Sequence, residues 1–220
     1  MSKNSYVTLE TLPEKTREWM SLIERQNKHK WPFDIKKAAL LVIDMQRYFL
    51  EERAHGYTCG GVAVIGNVQK LIEHFRENKR PVIFTRIAYK KDGSDLGIIG
   101  KWWDEMPVDG EPAAEIDPRL NPLPNEQVIT KNRYSAFYNT ELDAILKKLV
   151  IKEVVITGVM TNICCESTAR DAFFRDYMVR FVADATGSVK EEMHIGTLLN
   201  LAYAFADVCT TEEVLKCVSA

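Results

Sequence analysis

From residue 38 onward, short apolar runs alternate with stretches whose apolar residues recur every three to four positions. The first run, "AALLVIDM" (38–45), is apolar up to Asp44, as expected of a strand buried on both faces. In "VAVIGNVQKLIEHFRENK" (62–79), Val64, Val68, Leu71, Ile72 and Phe75 fall on one side of a helix. "RPVIFTRIAY" (80–89) predicts a second strand, "EQVITK" (126–131) a third and "KEVVITGV" (152–159) a fourth. "YMVRFVADA" (177–185) predicts a fifth and "ADVCTT" (206–211) a short sixth. Helices are predicted over 140–149, with Thr140 as N-cap, over 164–176 and over 190–205, with a last turn or two over 211–218. Residues 90–125 break the rhythm: they are rich in Gly, Pro and Asp and carry Trp102 and Trp103.

This alternation predicts an α/β fold of three layers, a mostly parallel, Rossmann-like six-stranded sheet with helices on both faces. Such sheets bind ligands at the carboxyl ends of their strands. The residues there are Asp44, Arg86, Lys131, the segment 158–164 and Asp184, all expected along one edge. Residues 1–36 read as an N-terminal helical arm and residues 37–220 as the domain proper. Within the arm, Trp19, Leu22 and Ile23 have helical spacing over 12–26. The helix either packs on its own domain or is lent to a neighbouring subunit. Together with Trp102, Trp103 and Met106, these apolar residues predict a homo-oligomer, a dimer or tetramer, with the paired tryptophans near an interface and a pocket mouth.

Composition removes several function classes. The 220 residues carry a net charge of -2, and the basic clusters at 25–30 and 76–80 are short, so no nucleic-acid partner is expected. No stretch is long and apolar enough for a membrane span, and "MSKNSYVTLE" lacks a signal-peptide core. Five cysteines without an export signal point to reduced thiols and a cytoplasmic location. The four histidines are dispersed without metal-ligand spacing, so no metal and no cofactor are expected.

The segment "GVMTNICCESTARDAF" (158–173) puts Cys164 and Cys165 where an apolar run gives way to a helical pattern. A thiol there is either a small buried hydrophobe or a nucleophile whose pKa the helix N-terminus lowers. Asp44 closes an apolar strand as a general base would, or simply begins a loop. Lys131 alone is an ordinary strand-end lysine. Together they place a thiol, a carboxylate and a cation at three carboxyl ends of one sheet, where the cation favours both anions.

"LLVIDMQRYFL", "TKNRYSAFYNTELDAIL" and "TGVMTNICCESTARDAFFRD" resemble the three signature segments of the isochorismatase-like cysteine hydrolases, which include nicotinamidases, N-carbamoylsarcosine amidases, ureidoacrylate amidohydrolases and isochorismatases. The resemblance runs from residue 38 to the C-terminus and implies the sheet just described. It puts the triad on Asp44, Lys131 and Cys164, with Cys165 as packing. It also implies a cis Val159–Met160 peptide and an oxyanion hole formed by the Met160 and Cys164 amides. "ICC" combines features of two branches, and "NRYSAF" and "EEMH" resemble the isochorismatase branch. The thiol favours metal-independent cleavage of a C–N amide, carbamoyl or ureido bond of a small molecule through a thioester. Isochorismatase-type vinyl-ether hydrolysis and a non-catalytic assembly protein of the same fold are the alternatives. Nicotinamidases carry a D-x-H…H metal site after the second strand. "TRIAYKKDGSDLG" has no histidine, which argues against both a metal and nicotinamide. Gln46, Phe49, Trp102, Trp103, Tyr134 and Asn162 are candidates for the pocket wall. Arg86 either meets a substrate carboxylate or makes a surface ion pair.

Overall fold

A computed structural model describes residues 5–216. Six parallel strands form one sheet in the order β3-β2-β1-β4-β5-β6: β1 (Ala38–Ile43), β2 (Val82–Ile87), β3 (Gln127–Lys131), β4 (Glu153–Val159), β5 (Met178–Gly187) and β6 (Asp207–Cys209). Helices cover both faces, completing a three-layer α/β/α fold. They are α1 (Leu12–Ile23), α2 (Arg47–Leu50), α3 (Cys59–Glu77), α4 (Leu142–Lys148), α5 (Glu166–Phe173), α6 (Glu191–Ala204) and α7 (Thr211–Leu215). Of the final predicted helix, residues 217 and 218 lie outside the described residues. β1 and β4 are buried at every position, which is why their sequences are apolar throughout.

The chain runs outward from β1 to β3 in one direction and from β4 to β6 in the other. The order therefore reverses between β1 and β4, and a crevice opens where their carboxyl ends diverge. β5 departs from its expected end. A register shift opposite Ile156 and Gly158 carries it on to Gly187. Asp184, expected at the strand's carboxyl end, consequently lies inside it, and its carboxylate accepts hydrogen bonds from the Thr211 N–H and hydroxyl at 2.7 and 2.8 Å. It anchors α7 and is no part of the ligand edge.

α1 packs on its own domain, against α6 and β5. Trp19 is 1% exposed and Ile23 fully buried, so of the two alternatives these residues follow packing on their own domain, while Leu22 stays 57% exposed. The polar segment after α1 is tied down as well. Asn27 and Lys30 donate to the Val208 carbonyl, and Arg180 donates to the Trp31 carbonyl at 2.6 Å and to Asp207 at 2.7 Å.

Candidate active site

The crevice brings together Asp44, Lys131 and Cys164. After β1 the chain turns at Asp44, whose φ of 48° lies in the left-handed region. Asp44 is fixed through Thr85 on β2. Its N–H donates to the Thr85 carbonyl at 3.1 Å, and the Thr85 hydroxyl donates to Asp44 Oδ1 at 2.7 Å. Oδ2 lies 2.7 Å from Lys131 Nζ. Lys131 ends β3, two strands and about 10 Å from β1, so its long side chain has to reach past β2. Its Nζ also donates to Cys164 Sγ at 3.5 Å and to the Arg133 carbonyl at 3.0 Å. All three side chains are buried.

Cys164 lies in a π-helical turn, Thr161–Cys165, between β4 and α5, not at the α-helix start that the sequence predicted. Such turns recur at functional sites. Gly158 lets β4 approach β1 here: at its φ of +109°, a Cβ would stand 2.0 Å from the Ile43 carbonyl oxygen. The Val159–Met160 peptide is cis.

Burial dominates the electrostatics. It pushes the Cys164 thiol above its ordinary pKa, and Lys131 counters only part of the rise. Burial alone would lower the Lys131 ammonium, but the charges of Asp44 and Cys164 hold it above its usual value. The ready thiolate expected of a helix start is not what this buried position favours. Cys165 is buried more completely, donates weakly to the Thr157 carbonyl at 3.9 Å, and serves as packing.

A cavity of about 250 Å³ opens onto Cys164. Of the expected wall residues, Phe49, Trp103, Tyr134 and Asn162 line it, as does Met160. Three others do not. Gln46 is fully buried and uses its whole amide as a brace, bonding Ile87 O and N–H at 2.9 and 2.8 Å and Ala114 O at 2.8 Å. Arg86 points to the surface, 2.7 Å from Asp109 and 3.7 Å from Glu115. Trp102 is 73% exposed and outside the cavity. Reasoning from the sequence missed Tyr48, His55, Tyr57, Met106, Ile163 and Met193 in the wall: Tyr48, Ile163 and Met193 lie within quoted motifs that did not show which way they face, while His55, Tyr57 and Met106 are brought there by loops. Among the described residues, no group of three His, Cys, Asp or Glu side chains could hold a metal ion.

A parallel α/β sheet with a buried thiol, carboxylate and ammonium brought together at its carboxyl edge has the groups a hydrolase uses, and the comparisons with known proteins give the family. Residues 38–213 match the isochorismatase domain, and the chain belongs to the isochorismatase family of hydrolases. It is 40% identical over 184 residues to nicotinamidase 3 of Arabidopsis thaliana, covering 82% of this chain and 88% of that one. It is 29% identical to ureidoacrylate amidohydrolase RutB of Caulobacter segnis, covering 83% and 86%. Among solved structures, a cysteine hydrolase from Pseudomonas syringae pv. phaseolicola superimposes with a TM-score of 0.81 at 29% identity, covering 85% of this chain and 94% of that one.

Proposed function

We propose that this chain is a cysteine amidase that cleaves the C–N bond of a small, uncharged carboxamide through a thioester on Cys164. The observation that carries this reading is the grouping of Lys131 Nζ with Asp44 at 2.7 Å and with Cys164 Sγ at 3.5 Å, at the end of an apolar cavity. Asp44 takes the Cys164 proton as sulfur attacks the carbonyl carbon, and Lys131 stabilises the resulting charges. The Met160 and Cys164 amides receive the oxyanion. Asp44 passes the proton to the departing nitrogen as the C–N bond breaks. It then takes a proton from the water that attacks the thioester, and returns it to sulfur as the acid leaves.

The wall supports an uncharged substrate. Tyr48, Phe49, Tyr57, Trp103 and Tyr134 supply flat apolar surface, and no lysine or arginine is among the described residues lining the cavity. With His55 as the one lining side chain able to pair it, a carboxylate there would be desolvated with little compensation. That disfavours carboxylate-bearing ureido or carbamoyl acids and also isochorismate, a dicarboxylate. The absent histidines argued against nicotinamide. The aromatic wall restores neutral aromatic amides as a class.

Ammonia release from a panel of carboxamide, carbamoyl and ureido compounds tests this reading. Turnover is expected for uncharged carboxamides and should survive EDTA. Cys164→Ala should abolish it, with a loss of at least about a thousandfold, the scale of removing a nucleophile, while Cys165→Ala retains most activity. Equal behaviour of the two variants would sink the assignment. A Cys164 thiol inert to alkylation would favour the non-catalytic alternative.

A further inference from the structure

Asn162 lines the cavity two residues before Cys164, and its Oδ1 accepts a 2.6 Å hydrogen bond from Ser188 Oγ. Ser188 follows β5, is fully buried, and has every polar group engaged. Its N–H donates to Tyr6 Oη at 3.2 Å, and its carbonyl accepts from the Gly60 N–H at 3.3 Å. Tyr6 reaches this point because residue 60 is glycine: a Cβ there would lie 2.4 Å from Tyr6 Oη and 2.7 Å from the Ser188 carbonyl oxygen. Ser188 is therefore held by the N-terminal arm on one side and α3 on the other, and its hydroxyl is aimed at Asn162. On the opposite wall, Trp103 Nε1 donates to Tyr134 Oη at 2.9 Å. Tyr134 thus accepts at its oxygen and retains its own proton for donation.

We propose that Asn162 is a specificity-determining donor. Its oxygen is occupied by Ser188, so its NH₂ is the group offered to a bound ligand. Ser188 and, through it, Tyr6 are positioning residues that never touch the ligand. The ligand class is an uncharged carboxamide whose acyl group carries a second hydrogen-bond acceptor, such as a ring nitrogen or a further carbonyl. The scissile bond in this description rests on the amidase reading; the recognition by Asn162 does not.

Two aldehydes of the same shape, pyridine-3-carbaldehyde and benzaldehyde, separate the two ideas. Each adds reversibly to a thiol: a C–S bond forms, and the thiol proton ends on the former carbonyl oxygen. Binding is read as protection of Cys164 from iodoacetamide by mass spectrometry, which needs no turnover. The measured quantity is the ratio of the two dissociation constants, relative to wild type, which cancels both intrinsic electrophilicity and general loosening of the site. The pyridine preference should fall about fivefold in Asn162→Leu, the scale of one neutral hydrogen bond. Ser188→Ala and Tyr6→Phe should lower it by a similar factor, with benzaldehyde binding little changed. Tyr6→Phe removes one oxygen and no packing volume, so it keeps the test open if another variant folds poorly. A ratio unchanged in all three variants overturns the proposal. A ratio changed only in Asn162→Leu overturns the positioning role of Ser188 and Tyr6. Ammonia release with a flat ratio defeats this inference alone. The expected ratios without ammonia release from any amide defeat only the amidase reading.

Discussion

Burial raises the Cys164 thiol pKa more than Lys131 lowers it, so the mechanism proposed above has the thiol activated by proton transfer to Asp44 during attack and not as a standing thiolate. In the ligand-free protein, iodoacetamide labelling of Cys164 should therefore keep rising past pH ~8.5, the range of a free thiol, without an earlier plateau. Lys131→Met should shift the rise further upward. A plateau near neutral pH would refute this. The same lysine has a structural cost. Lys131→Met leaves Asp44 buried beside no cation and should lower stability by ~3–5 kcal/mol in urea titrations. Adding Asp44→Asn should recover part of that loss. The grouping of Asp44, Lys131 and Cys164 was legible because residue type and position at or just past strand ends coincide there. Arg86 misled for a reason the strand period could have shown. Thr85 bonds Asp44 and Ile87 lines the cavity, so the intervening side chain faces the other way. The depth of Cys164 left no mark in the sequence, since it depends on how loops 51–57 and 102–106 close over the crevice.

The elements flanking Cys164 are joined by His194. It lies on α6, fully buried, with Nδ1 2.9 Å from the Thr161 hydroxyl at the start of the π-helical turn and its ring 4.4 Å from that of Trp19 on α1. Burial holds its pKa down to about 3 from 6.5. Between those values the unfolded chain takes up a proton that the folded chain does not, so stability falls as pH drops through this window. The loss is ~1.4 kcal/mol per unit, or about 2 kcal/mol by pH 5. His194→Gln should flatten the dependence of unfolding free energy on pH between 7 and 5; an unchanged slope would assign it to other groups. β1 and β4 were readable as apolar runs because they are buried throughout, and α3 was readable from its period because one face of it is buried. The run of β5 to Gly187 was not, because it follows from the shifted register of its pairing with β4, which no local pattern carries. Without that extension Ser188 would not stand beside Asn162.

At the scale of the whole molecule, the arm is a buttress of its own domain. Removing residues 1–30 uncovers the surfaces packed by Trp19 and Ile23 and withdraws the Asn27 and Lys30 contacts to β6. The truncated protein should show a lower Tm and exposed apolar surface by dye binding, not simple dissociation of a folded subunit. Any self-association expected from the sequence must then draw on other exposed apolar side chains, Trp102 and Ile98 among them. Light scattering of Trp102→Lys beside the wild type checks this; identical masses would remove Trp102 from consideration. Stability is also unevenly distributed across the sheet. β3 is an edge strand that pairs only with β2, and Ile129 is its one buried apolar residue. The ammonium beside Asp44 is therefore delivered by the strand with the least apolar anchoring, while Asp44 and Cys164 follow central strands. Fraying of β3 would withdraw Lys131 while the rest of the fold persists, a sub-global opening with its own small free energy. Amide hydrogens of 127–131 should exchange well before those of β4, and the site should fail at denaturant concentrations below the global transition, so that the enzyme's working lifetime is set by its outermost strand.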